Sequence, residues 1–186
     1  MENLSNWMLK TIREDEKKGI MSSWLEEKRF MLLPIMARSI AHLIKGGSII
    51  VLTDQQHEWF GDYIIAHINQ YHTGRPFFPI VKMASLSEMI DHSTKKEGMQ
   101  GFKLIYDMLD MVYEDYIFWY IGKKNVRADF ALNRANGFYW ILDDTLSDAF
   151  CFKSTDEKLD YKLLNLFKLF ERAILGAMFN KISLEV

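Results

Sequence analysis

The residues best placed to do chemistry in this sequence form a polar run directly after a short apolar segment, 48–52. The run is Thr53, Asp54, Gln55, Gln56 and His57. Open parallel sheets bind ligands beyond the carboxyl ends of their strands, so a site is first expected here. A phosphate site would need glycines that let backbone amides approach the anion, and none occurs between Leu52 and Phe60. Asp54 also places negative charge there, so the run favours helix capping over phosphate binding.

The other reactive side chains do not form a recognisable catalytic or metal-binding set. No two of the five histidines have metal-ligand spacing: His57-Glu58 begins like the zinc-protease helix motif, but Gly61 stands where the second histidine belongs. The acidic pairs are typical of solvated helix faces and turns, and Cys151 between two phenylalanines is typical of a buried, unreactive thiol. We therefore expect no catalytic residues, no metal and no cofactor, and a protein that is not an enzyme.

Composition narrows the class of protein further. The chain has 186 residues, and 23 basic against 25 acidic side chains give a net charge of −2, so a large basic face for nucleic acid is not expected. One cysteine cannot form an internal disulfide, and the N-terminus does not resemble a signal peptide. The longest apolar stretches, 30–37 and 116–121, are well short of the ~20 residues that span a membrane. We expect a cytoplasmic protein that binds neither membranes nor DNA.

The elements that would position the polar run alternate between strands and helices. Apolar runs predict strands at 48–52, 77–83, 115–122, 137–142 and 149–152. Amphipathic patterns predict helices at 3–18, from Ser23 to about Lys45 with a bend or break at Pro34, at 54–69, at 102–112 and at 125–136, with a polar connection over 91–101. This alternation predicts one α/β domain over 1–186, a three-layer α/β/α sandwich with a mainly parallel sheet.

The last helix is predicted to open at 154–157 and to be apolar over more than half of its circumference. Such a helix is usually packed from two sides, and one side can be a second copy of the chain. The candidate residues for an oligomer interface are Leu163, Leu166, Phe167 and Phe170. Ordinary packing in the core of one chain is the alternative for each of them.

Several segments resemble the HobA family. They are 45–51 (KGGSIIV), Trp59-Phe60, Arg75-Pro76, the C-terminal stretch 159–171 and Asn180-Lys181. The resemblance implies a fold like that of sugar isomerase (SIS) domains, a homotetramer built as a dimer of dimers, and binding of the N-terminal domain of the replication initiator DnaA. It also implies a non-enzymatic scaffold that gathers DnaA at the replication origin.

The DnaA-binding SIS protein DiaA is similar to this chain more distantly, through the strand and loop ending at 53–56 and through 75–79. In SIS proteins that bind sugar phosphates, that first loop is rich in glycine and serine. Here it is Thr53-Asp54-Gln55-Gln56, a departure that agrees with the absence of a phosphate site. The alternative function is a sugar-phosphate isomerase or a sugar-phosphate-binding protein of SIS type.

For DnaA we predict docking at the rim beyond the first strands. The predicted docking residues are Asp54, Gln55, Gln56, Trp59 and Arg75. Arg75 is included because it matches the Arg-Pro motif of the family that this chain resembles, and the other residues are included because of their position after the first strand. Arginine and tryptophan often anchor interfaces. The alternatives are capping for Asp54, core packing for Trp59 and a solvated loop for Arg75.

Overall fold

A computed structural model describes residues 1–70, 76–96 and 99–184 of the chain. In chain order the elements are β1 (Glu2–Asn3), α1 (Leu4–Lys17), α2 (Ser23–Ile44), β2 (Ser48–Thr53), a 3-10 turn (Gln55–His57), α3 (Glu58–Ile68), β3 (Ile80–Val81), α4 (Leu86–Lys96), α5 (Met99–Val112), β4 (Tyr116–Lys123), α6 (Val126–Leu132), β5 (Phe138–Leu142), β6 (Ala149–Phe152), α7 (Leu159–Met178) and β7 (Ile182–Ser183). They divide into two compact units: a helical unit, Met1–Ile44 with Lys153–Val186, and a sheet unit, Lys45–Phe152.

The sheet unit is built on five parallel strands in the order β3-β2-β4-β5-β6. The central strand β4 is buried along its length up to Gly122, which explains why its sequence is an almost unbroken apolar run. β2 pairs with it from Ser48 opposite Tyr116 to Thr53 opposite Ile121. β3 is an edge strand, and a proline comes directly before it. Because proline has no backbone N–H to donate, it is tolerated at such an edge position and not within a central strand.

Helices cover both faces of this sheet. One face carries an apolar cluster in which side chains of α4, α5 and α6 pack with alternate residues of the strands, among them Phe118, Tyr120 and Ile141. On the other face Phe60 of α3 meets the ring of Trp140, with centroids 6.0 Å apart. The sheet unit is therefore a three-layer α/β/α arrangement, and the predicted α/β fold with a parallel sheet is confirmed.

The helical unit consists of α1, α2 and α7 with a two-stranded parallel pairing of β1 and β7. Gly19, with φ +83°, lets the chain turn between α1 and α2. The Glu16 carboxylate accepts hydrogen bonds from the backbone N–H groups of Ser22 and Ser23, so the start of α2 is capped from α1. An ion pair between Asp15 and Arg172 ties α1 to α7.

The structure differs from the predicted elements at several places, among them the pairing of β1 with β7, which was not predicted, and the end of α6 at Leu132. The strand expected at 77–83 is limited to Ile80–Val81, and most of the connection expected at 91–101 is helical, in α4 and α5. α2 is one helix that runs through Pro34, so the break expected as one of two outcomes there does not occur, and α7 begins at Leu159 rather than at 154. A single domain over 1–186 stays a prediction. None of the helices in the described ranges is both long enough and apolar enough to cross a membrane.

Candidate functional site

The topology places a crevice where β2 and β4 lie side by side. From β2 the chain crosses to β3 on one side, and from β4 it crosses to β5 on the other. Such a switch in direction leaves room at the carboxyl ends of the two strands, where doubly wound folds bind their ligands. The residues at this position are Thr53 and Asp54 after β2, and Gly122 and Lys123 at the end of β4.

The side chain of Asp54 fills the crevice. It is buried, and its Oδ2 accepts a hydrogen bond from the backbone N–H of Lys123 at 2.7 Å. Its Oδ1 accepts from the backbone N–H of His57 at 2.9 Å and lies 2.6 Å from Nδ1 of the same residue. Because a carboxylate can only accept, the proton is on Nδ1 of His57. Asp54 thus caps the turn before α3, as predicted, and also joins the ends of β2 and β4.

The charge of Asp54 is stabilised by these contacts. Burial by itself raises the pKa of the carboxyl, but the hydrogen bonds from the His57 side chain and the Lys123 backbone outweigh burial, so the pKa lies below the ordinary aspartate value. Nearby, the Tyr120 hydroxyl donates to the carbonyl of Lys123 at 2.6 Å. Burial, and secondarily the charge of Asp54, raise the pKa of Tyr120, which therefore remains a neutral donor.

Gly122 makes room for Asp54. Its φ is +148°, and a Cβ built on it would lie 2.5 Å from Cγ of Asp54. Any other residue at 122 would therefore strain the backbone and displace the carboxylate. Asp54 and Gly122 are matched to each other across the crevice.

Arg127 closes the crevice from the side of α6. Its guanidinium donates to the Asp91 carboxylate of α4 over 2.7 to 3.2 Å, to Glu58 of α3 at 2.9 Å, and to the carbonyl of Thr53 at 3.1 Å. The hydrogen bond to Asp91, followed by that to Glu58, raises the pKa of Arg127 against the opposing effect of burial. The guanidinium is thus engaged by two carboxylates, and an added anion would have to compete with both.

The structure places only some of the predicted docking residues on an exposed surface. Gln55, Gln56 and Trp59 are exposed at the start of α3, with 42% of Trp59 accessible and its ring packed edge-on against Phe60. Asp54 points inward, and Arg75 lies outside the described residues. Arg127 and Gly122 were not predicted, because they belong to segments far along the chain from Asp54; the one local signal was Asn125, whose side chain caps α6.

The four interface residues predicted on α7 require a correction. Each of them, Leu163, Leu166, Phe167 and Phe170, is 0% exposed within one chain. A side chain already buried in its own chain has no surface to offer a second copy, so these residues are core residues, which is the alternative stated above. Their apolar pattern reflects packing inside the chain.

The described parts of the chain also hold no group of three or more histidine, cysteine, aspartate or glutamate side chains that could bind a metal ion. The carboxylates at the crevice, Asp54, Glu58 and Asp91, have nitrogen partners: the backbone and side chain of His57, the backbone of Lys123, and Arg127. Chemically, these carboxylates and their nitrogen partners satisfy one another behind an exposed rim, whereas the buried hydroxyl of Thr53 has no hydrogen-bond partner among the described residues.

Comparison with known proteins agrees with this geometry. The model of the family described as HobA, DNA replication regulator, matches residues 1–184. The DNA replication regulator protein HobA of Helicobacter pylori is 30% identical over 99% of this chain and 100% of its own length. A crystal structure of a HobA–DnaA (domain I-II) complex from Helicobacter pylori matches with TM-score 0.74 and 29% identity, covering 98% of this chain and 99% of that one. HobA crystallised without DnaA matches with TM-score 0.73 and 28% identity, at the same coverage. The chain belongs to the HobA family of DNA replication regulators.

Proposed function

We propose that this chain binds the N-terminal domain of DnaA and that, as a homotetramer built as a dimer of dimers, it gathers DnaA molecules at the replication origin without catalysing a reaction. The observation that carries the proposal is the match, over 98% of the chain, to HobA crystallised with domains I-II of DnaA. A fold that is retained over its whole length supports a retained binding surface.

The filled crevice supports a role for surface rather than for a small-molecule pocket. Asp54 takes the place at the ends of β2 and β4 where a ligand would lie, and it brings negative charge. The nearest guanidinium, that of Arg127, is held by Asp91 and Glu58. A sugar phosphate would have to displace one carboxylate and compete with two others, which argues against the alternative function.

Within this proposal, the docking surface is the exposed rim at the start of α3. Gln55 and Gln56 offer amide donors and acceptors, and Trp59 offers a large, partly exposed ring of the type that anchors interfaces. Asp54 lies beneath this surface and contributes indirectly, because the hydrogen bonds that it accepts from His57 fix the turn that presents these side chains. Arg75 stays a proposed member on the strength of the Arg-Pro motif.

The scaffolding role in this proposal depends on the number of docking surfaces that one oligomer carries. A closed symmetric oligomer repeats the same rim on every copy. Once one DnaA molecule is bound, later ones associate at a raised local concentration, which can strengthen assembly by ~10²–10⁴ without new contacts.

Light scattering after size-exclusion chromatography tests the proposal. We expect the chain mixed with the N-terminal domain of DnaA at micromolar concentration to elute as a complex, and Trp59→Ala to weaken it at least tenfold, since truncating an anchor costs about 2 kcal/mol or more. Met111→Ala is the matched control, because Met111 is 87% exposed but lies on α5, on the other face of the sheet from α3. Unchanged elution of the wild-type mixture would refute the proposal.

A thermal scan separates the alternative function. A ligand that binds only the folded chain raises its melting temperature. We expect no shift with millimolar sugar phosphates, whereas a saturable shift would favour a sugar-phosphate-binding protein.

A further inference from the structure

Helix α5 carries an exposed apolar stripe beside the side that it packs into the core of the sheet unit. Its buried side contributes Ile105 and Leu109 to the apolar cluster. Next to them the exposed apolar side chains are Leu104 (62% exposed), Met108 (46%), Met111 (87%) and Val112 (69%). Because residues three and four apart lie on one side of a helix, these four form one stripe that spans about two turns, ~12 Å.

Carboxylates border this stripe along one edge. Asp107 and Asp110 are exposed on the adjacent side of α5, and the exposed Glu114 follows two residues after the helix ends. Asp110 is paired with Arg134 at 2.8 Å, while Lys103 supplies one positive charge near the beginning of the helix. The edge is therefore acidic, most strongly toward the C-terminal end of α5. We call the stripe together with this edge the α5 face, which consists of Leu104, Asp107, Met108, Met111, Val112 and Glu114.

The C-terminal end of α5 attracts cations for a further reason. The last carbonyl groups of a helix carry about half a unit of negative charge, which a basic side chain in the last turn commonly offsets. The last turn of α5, 109–112, contains Asp110 and no basic side chain, and the exposed Glu114 and Asp115 come shortly after it. Carbonyl dipoles and carboxylates thus act in the same direction, and a cation supplied by another molecule gains from both.

We propose that the α5 face binds an amphipathic helix of another protein, one whose apolar side is bordered by lysine or arginine. Such helices dock through apolar residues at spacings of three, four and seven, which match the spacing of the stripe. Met108 and Met111 have flexible, polarisable side chains that adapt to partners of different shape. Basic residues at the border of the partner helix then lie against Asp107 and Glu114. The stripe is short, so we expect a weak contact of micromolar affinity, as is typical of small interfaces.

The charges select this occupant over two others. A second copy of the chain would bring the carboxylates of its own α5 face against those of the first, with one lysine, Lys103, to offset them, so most of the facing charges would repel. A membrane surface rich in anionic lipids would be repelled by the same carboxylates. A basic amphipathic helix pairs with both the stripe and its border.

The α5 face is a second docking surface, beyond the one in the proposed function. α5 packs against the face of the sheet that carries Phe118, whereas α3 packs through Phe60 on the face that carries Trp140. A DnaA domain at the start of α3 and a basic helix at α5 therefore do not compete for the same residues.

Fluorescence anisotropy with a synthetic probe tests the α5 face. The probe is a labelled peptide of leucine and lysine with leucines three and four apart, ~18 residues long so that it can form a helix. The control peptide has glutamate in place of every lysine. We expect the full-length chain to bind the lysine peptide with micromolar affinity and the glutamate peptide about tenfold or more weakly, because the border is acidic.

Substitutions in the α5 face identify the site of binding. We expect Met108→Ser with Met111→Ser to weaken binding of the lysine peptide about tenfold or more, because two apolar side chains are lost from the contact. Asp107→Lys with Glu114→Lys should weaken binding of the lysine peptide and strengthen binding of the glutamate peptide. Loss of folding cannot produce this reversal of preference.

A control for net charge is available in the helical unit. Glu14→Lys with Glu157→Lys changes the charge of the chain by the same amount, through two carboxylates that are also exposed. Charges that do not border the bound peptide are screened over about 8 Å at physiological ionic strength, so we expect neither affinity to change more than about twofold.

Nuclear magnetic resonance of isotope-labelled methionine methyl groups gives a second measurement. The signals of Met108 and Met111, assigned by Met108→Leu and Met111→Leu, should shift during titration with the lysine peptide. The signal of Met8, which is buried on α1, should not shift.

The results for the α5 face can be distinguished from those for DnaA binding. Equal binding of the two peptides by the wild-type chain, or unchanged affinities in both α5 variants, overturns the α5 docking surface. A lower molar mass of the Met108→Ser, Met111→Ser variant in light scattering would make this face a contact between copies, and loss of its complex with the DnaA domain would make the face part of the DnaA surface; either result also overturns it. An intact DnaA complex in that variant, together with lost peptide binding, supports it. A wild-type chain that binds the lysine peptide but not DnaA refutes the proposed function alone.

Discussion

A double-mutant cycle on Asp54 and Gly122 tests whether the crevice is closed by the chain itself. Asp54→Ala removes the acceptor for the backbone N–H groups of His57 and Lys123, which lie beside buried side chains. An unsatisfied buried donor costs about 1–3 kcal/mol, so we expect a loss of ~2–5 kcal/mol in the free energy of unfolding. For a chain of this length, that corresponds to a fall in melting temperature of roughly 5–15 °C.

Gly122→Ala acts on the same contact from the opposite strand. In the wild-type background its Cβ would meet Cγ of Asp54 at 2.5 Å. We expect about 1–3 kcal/mol from this overpacking, in addition to about 1–3 kcal/mol for a non-glycine residue at φ +148°. In the Asp54→Ala background the contacts with Cγ and Oδ2 of residue 54 are removed, but its Cβ stays 2.8 Å from the new Cβ, so the overpacking is relieved in part and the backbone strain remains.

The two substitutions should therefore be less than additive, by about 1–3 kcal/mol. Chemical denaturation of the four proteins at neutral pH, with equal slopes against denaturant, gives this coupling energy. Gly61→Ala provides a comparison on α3, where the new Cβ meets only ordinary or slightly tight contacts of 3.1 Å and more. Strict additivity of Asp54→Ala and Gly122→Ala would refute the reasoning, because it would mean that the carboxylate does not occupy the space above Gly122.

Three further outcomes are expected. The folded-state pKa of Asp54 lies below the ordinary value of 3.8, so its contribution to stability is present above that value and is lost as the pH falls through the lower, folded-state pKa. The stability difference between wild type and Asp54→Ala should therefore shrink below about pH 3.8 in acid titrations. Arg127→Met should destabilise the chain by about 2–4 kcal/mol in denaturant titrations, since Asp91 and Glu58 lose their shared cation, and an effect below 0.5 kcal/mol would contradict the network. Phe170→Ala should cost about 3–5 kcal/mol by the same method, as for a core side chain; a variant of normal stability but altered molar mass would return this residue to an interface.

The sequence predicted the sheet better than the helices around it, for a physical reason. Strands β2 and β4 are buried on both faces, so each is an uninterrupted apolar run that few other structures could accommodate. α4 has exposed polar residues such as Glu88 and His92. A run of polar residues is also typical of a loop, so this segment was interpreted as a loop because its helical periodicity was not recognised. At 154–157 the capping pattern was misleading, because Asp156 instead accepts from the backbone of Lys158 and pairs with Lys162 ahead of the helix.

Only the contacts of the candidate site that join residues close together in the sequence could be predicted. The capping role of Asp54 follows from its place after an apolar run, and the structure confirms it. The hydrogen bond between Asp54 and Lys123 joins residues 69 apart, and the hydrogen bonds of Arg127 join residues 36 to 74 apart. No short sequence pattern predicts contacts between residues so far apart in the chain. For α7, a side chain that faces a partner and one that faces its own core obey the same apolar periodicity, and burial was needed to distinguish them.

The match between Asp54 and Gly122 has a consequence for how this chain can change over generations. Shortening the acidic side chain would strand buried amides before any ligand had gained a foothold, and enlarging the glycine would first collide with that side chain. Each single step toward an open cleft thus costs stability, and opening it requires coordinated replacements. Such an interlock keeps the space between the ends of β2 and β4 filled and leaves the outer surface as the part of the molecule that can change more freely.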